Sequence, residues 1–202
     1  MKLADRQLTR AWLVAFSAAL LSLSQLGCQP IATGNRLTVA SAGKIISLDP
    51  AQASTVNTIQ LLSALGDPLY SLDGNGELIP RLAEASPIVS PDGLTVTIPL
   101  RRDVLFHDGT RFDAEAMAFS LRRFLEIGTL SYVVGGRIRS VEVAADHQLV
   151  LRLSRPSTSL EGLLTSVILT PVSPTSYAQH RDGFLHDRFV GTGPYRLTDF
   201  SE

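Results

Sequence analysis

The side chains able to do chemistry are few, and their spacing argues against catalysis. Four histidines occur, His107, His147, His180 and His186. His107 sits beside Asp108 in a tight Asp-Gly turn that backbone geometry already explains. His180 and His186 are six apart and so miss the four-residue helical spacing of a paired metal ligand set. The carboxylates Asp103, Asp108, Asp113 and Glu115 cluster along the chain but fit turn and helix-cap roles, with nothing marking a pair of split acidities. Gly191-Thr192-Gly193 lacks both the further Gly of a dinucleotide fingerprint and the Lys-Ser/Thr of a phosphate loop, and reads as a flexible loop. No Gly-x-Ser-x-Gly turn occurs. The expectation is a protein that is not an enzyme, with no metal and no cofactor.

The single cysteine, Cys28, can form no internal disulfide and belongs to no cysteine-pair metal spacing. It follows a leader in which Lys2, Arg6 and Arg10, offset by Asp5, precede an apolar run from Ala11 to Leu23 broken only by Ser17 and Ser22. That is the layout of a signal peptide, too short to favour a stable span, which takes about 20 residues. Ser24-Gln25-Leu26-Gly27-Cys28 resembles a bacterial lipoprotein processing site, with Gly27 suited to the position before the cysteine and Gln25 where Leu is usual. The resemblance implies acylation of Cys28 and an anchor in a membrane. Residues 1–28 are accordingly expected to be a leader, 29–35 a tether containing Pro30 and Gly34, and 36–202 the folded part.

Composition agrees with a folded part. At 202 residues, 45% hydrophobic and a mean hydropathy of +0.17, the chain can bury a core. Its formal charge is −1, and loss of a leader carrying three positive charges and one negative brings it to −3. No basic stripe recommends a nucleic-acid partner, and attachment to an anionic membrane would rest on acyl chains.

Local pattern predicts the elements. Leu37, Val39 and Ala40 suggest a short strand; a polar loop over 53–57 leads into a helix carrying Ile59, Leu61, Leu62 and Leu65 and closed by Gly66. Three hairpins follow: one around Asp73 to Gly76, one around Ser90 to Gly93, and one around Ala145 to Gln148. The alternation in Leu94, Val96, Ile98 and Leu100 gives one buried face, and Pro99 places that strand at an edge or near its end. Asp113 stands at the amino-terminal cap of a helix with Met117, Leu121 and Phe124 on one face, and Arg122 and Arg123 near its carboxyl end, where the helix dipole favours them. Leu160 to Leu164 reads as a short helix, Val167 to Leu169 as a buried strand, and Pro174 to Gln179 as a helical turn. The class is mixed α/β, with mixed sheets and several β-hairpins and short helices.

The run from Tyr70 to Phe124, with its Gly turn, Pro80-Arg81-Leu82-Ala83-Glu84, Ser90-Pro91-Asp92-Gly93-Leu94-Thr95 and Phe106-His107-Asp108-Gly109-Thr110, resembles the family 5 extracellular solute-binding proteins of peptide and nickel ABC importers. Leu48-Asp49-Pro50-Ala51 looks like that family's entry segment, and Gly191 to Leu197 like one of its strand openings. Gly66 to Leu69 and Ala85 to Pro87 depart from its usual residues. The resemblance implies the amino-terminal part of a two-lobed periplasmic-binding-protein-like fold of type II, the family running to more than twice this length. It implies capture of a peptide or other small solute outside the cytoplasm, in the periplasm or on a membrane, and delivery to ABC transporter permease subunits. The segment after the entry is implied to face the solute cleft, which singles out Ser54, Thr55 and Val56, an ordinary loop being the alternative reading. A split or remnant half-domain that pairs with a separately encoded partner is the alternative for the chain as a whole.

Overall fold

The computed structural model of the chain describes residues 35–178 and 188–201. The leader with Cys28, the tether up to Gly34, and His180 and His186 lie outside the described residues. The chain divides into one unit up to Ala40 and a second from Ser41 onward. In the first unit, residues 35–40 form no strand, contrary to the expectation from Leu37 and Val39, whose side chains are exposed. Alternating apolar residues make a strand only where a ladder partner takes up the backbone N–H and C=O groups.

In the second unit, a 3-10 turn at Pro50–Gln52 precedes helix α1, Val56–Leu65. Strands β1 (Tyr70–Leu72) and β2 (Leu78–Pro80) make an antiparallel hairpin with Tyr70 opposite Pro80. Asp73 closes it, its Oδ1 accepting the N–H groups of Asn75 and Glu77 at 2.8 Å each, and Gly76 supplies the required positive φ of 85°. Then come β3 (Ile88–Val89), β4 (Thr95–Pro99), α2 (Ala114–Ile127), α3 (Ser131–Gly135), β5 (Ile138–Ala145), β6 (Gln148–Leu153), α4 (Leu160–Leu163) and α5 (Pro174–Tyr177).

Strands β3 to β6 form one sheet in the order β3-β4-β6-β5, and all described pairings are antiparallel. The expected mixed sheet is thus corrected: the strands are joined by tight turns or antiparallel returns, and no crossover lays one beside another in the same direction. Pro99 is the last residue of an interior strand, opposite Gln148, where its missing N–H costs no further ladder bond.

Helix α2 covers one face of this sheet. Asp113 caps it, Oδ1 accepting the Ala116 N–H at 2.8 Å. Met117, Leu121 and Phe124 recur on one side and are buried in the same core as Val96, Ile98, Val141, Leu149 and Leu151. Each such side chain contributes about 1.5–3 kcal/mol by leaving water, so this interface holds the unit together. Two further expectations change. Val167–Leu169 is a 3-10 turn and not a strand, because Leu169 and Thr170 donate to Ser166 and Val167 at 3.0 and 3.1 Å and satisfy the backbone locally. Arg122 and Arg123 lie before the last turn of α2, and tertiary partners hold them in place of the helix dipole.

Candidate binding rim

Arg123 reaches across to the entry segment. Its Nη1 donates to Asp49 Oδ1 at 2.8 Å and its Nη2 to Asp49 Oδ2, a two-pronged contact between side chains of which Arg123 is 9% exposed and Asp49 wholly buried. The guanidinium also lies over the Tyr177 ring, 5.1 Å from its centre. Burial, with the Asp49 carboxylate nearby, holds the Tyr177 phenol above its ordinary value, so the ring stays neutral. Asp49 Oδ1 additionally accepts the Ala51 N–H at 2.9 Å, capping the 3-10 turn, and Ser47 Oγ accepts the Asp49 N–H at 3.1 Å. The Thr129 N–H donates to the Ala51 carbonyl at 2.8 Å. Helix α2 and the turn after it therefore fix the entry segment at two points, and Tyr177 of α5 backs the guanidinium that makes the first of them.

This anchoring delivers Ser54, Thr55 and Val56 to the surface. Ser54 is exposed and Val56 is 69% exposed, an apolar side chain left in water at the first turn of α1. Thr55 is half-buried and is the amino-terminal cap: its Oγ1 accepts the Thr58 N–H at 3.3 Å while its hydroxyl donates to Thr58 Oγ1 at 3.0 Å. Its side chain is therefore committed to the helix, whereas Ser54 and Val56 hold no structural post. The first turn of α1 carries no acidic residue. The rim is uncharged from Ala51 to Thr58 and offers hydroxyl, amide, backbone and methyl contacts.

The other end of α1 is held by the 191–195 segment, which is a strap and neither the flexible loop nor the strand opening expected of it. Gly193 N–H donates to Leu65 O at 3.0 Å and Tyr195 N–H to Ala64 O at 3.3 Å, so the strap takes up carbonyls that the helix terminus leaves open. A Cβ on Gly193 would lie 2.5 Å from the Leu65 carbonyl carbon and 2.6 Å from the Gly66 nitrogen, which explains the glycine. His107 ties the strap to its own turn: its N–H donates to Gly191 O at 2.9 Å and its Nε2 lies 2.9 Å from Gly193 O. It is a half-buried strut between the two. Asp108 holds the same turn to α5, accepting from the hydroxyls of Thr110, Ser173 and Ser176 and from the Thr110 N–H. Burial works to raise its carboxyl, and those donations together carry it below its ordinary value. The neighbouring Asp67 goes the other way, burial raising it against the opposing charges of Arg81, Arg101 and His107 and a hydrogen bond with Thr192.

The Asp49–Arg123–Tyr177 cluster escaped sequence reasoning. Its one signal was Arg123 following the buried Ser120 by three residues on the flank of an apolar helix face, where a cation needs a partner. An open depression of about 410 Å3 lies elsewhere, between His107 and Asp108 on one side and Phe189, Val190, Leu197 and Phe200 on the other; Ser54, Thr55 and Val56 are not in its walls. His147 stands in the β5–β6 turn, its carbonyl accepting the Leu100 N–H at 2.9 Å. Among the described residues no three of the His, Cys, Asp and Glu side chains gather in a way that could hold a metal ion.

Residues 77–202 match the family model of the bacterial extracellular solute-binding proteins, family 5 Middle. The glutathione-binding protein GsiB of Salmonella choleraesuis (strain SC-B67) is 29% identical over 198 residues, covering 96% of this chain and 37% of that protein. The chain thus spans little more than a third of the length of the curated relatives it matches. Among solved structures, the PBP AgaA in complex with agropinic acid from A. tumefaciens R10 superposes with a TM-score of 0.71 at 26% identity, over 79% of this chain and 32% of that one. The periplasmic binding protein DppA from Helicobacter pylori, in complex with the peptide STSA, gives 0.68 at 25% identity, over 77% and 35%. The second unit is therefore part of a periplasmic-binding-protein fold of type II. With well over half of its residues matching that family's model, the chain belongs to the bacterial extracellular solute-binding proteins of family 5.

Proposed function

We propose that this chain is the amino-terminal part of an extracytoplasmic receptor that captures a peptide or similar small solute and delivers it to the permease subunits of an ABC importer. The observation that carries the reading is the rim: Ser54 and Val56 stand exposed on a segment that a buried ion pair holds rigid. Rigidity matters because a preorganised rim loses little entropy when a solute settles on it. One relative is named for glutathione, and two similar structures hold agropinic acid and a short peptide, solutes rich in amide and carboxylate groups. An extended solute of that kind pairs its amides with backbone groups at Ser54 to Val56, as an added strand does, and packs an apolar portion on Val56. The chain performs no bond-making step on the solute.

A leader cleaved between Gly27 and Cys28 directs export, acylation at Cys28 anchors the mature chain to a membrane, and residues 29–35 tether the part of the chain that follows. Binding is tested by native mass spectrometry of the purified chain with a di- to pentapeptide mixture, alongside Ser54→Trp, whose bulk fills the rim. Retained peptide in the parent and its loss in the variant, at an unchanged melting temperature, support the reading. Equal retention in both, or none in either, overturns it.

A further inference from the structure

We draw no further inference here: the strongest candidate, the open depression between the His107–Asp108 turn and residues 188–200, has two of its charged wall residues, Arg188 and Asp199, already engaged with partners and nothing in the structure shows what covers it.

Discussion

Replacing Arg123 with Met tests whether the buried ion pair is what holds the entry segment. Methionine keeps the apolar stem and removes the guanidinium, leaving a wholly buried Asp49 carboxylate with the Ala51 N–H at 2.9 Å but without its two-pronged cationic partner. Removing one member of such a pair costs about 3–5 kcal/mol, because the other charge stays out of water uncompensated. Loss of the cation over the Tyr177 ring adds roughly 0.5–2 kcal/mol, and relaxation of the segment toward solvent offsets part of both. A net loss of about 4 kcal/mol corresponds to a fall in Tm of roughly 8–16 °C for a chain of this size. Asp49→Asn alone costs a comparable amount, since it strands the guanidinium instead. The double variant Asp49→Asn/Arg123→Met recovers most of the loss, because neither charge is then buried alone and the asparagine oxygen still caps Ala51. Urea unfolding of the four proteins gives the coupling directly as a double-mutant cycle. If Arg123→Met stays within about 0.5 kcal/mol of the parent, or the double variant equals the sum of the singles, the pair does not hold the segment and the rigid-rim argument fails.

Four further outcomes are expected. The Asp108 carboxyl has a folded value below its ordinary one, so its contribution is present above about pH 4 and is lost as the pH falls through the folded value; melting temperatures followed from pH 6 to pH 2.5 fall less steeply at the acid end in Asp108→Asn than in the parent. Gly193→Ala, whose Cβ meets backbone atoms at 2.5 to 2.7 Å, lowers stability by about 2 kcal/mol or more, whereas Gly109→Ala, with open space around its Cβ and a φ of 83°, costs about 1–2 kcal/mol from backbone strain alone; chemical denaturation ranks the two, and the reverse order contradicts the strap geometry. Thr55→Ala removes a helix cap and costs about 1 kcal/mol, while Ser54→Ala stays within about 0.5 kcal/mol yet weakens peptide retention, a split read by pairing calorimetry with native mass spectrometry. Cys28→Ala leaves the membrane fraction and loses incorporation of labelled fatty acid when the chain is expressed in bacteria; an unaltered distribution rejects acylation as the anchor.

Much of the fold was legible because it depends on neighbours in sequence. Asp73, Gly76, Gly93 and Gly109 make their turns through their own φ values and short side-chain bonds, and Asp113 caps α2 through a residue three positions on. The alternation in β4 and the helical spacing of Met117, Leu121 and Phe124 named the buried faces correctly. The family was legible for the same reason, since its marks are these turns in a set order. Where a segment needed a distant partner, pattern misled: residues 36–40 and 167–169 have strand-like composition but form no strand, and 191–197 became a strap.

The sequence by itself determined the turns, the caps, the amphipathic faces and the family, all of which rest on interactions spanning a few residues or on their linear order. Only the tertiary structure decided what Arg123, His107 and Gly193 are for, because Asp49 and Arg123 stand 74 residues apart and His107 and Gly193 86 apart. Which buried charge finds which partner depends on how the helices and the sheet pack against one another, and nothing in the local sequence encodes that choice.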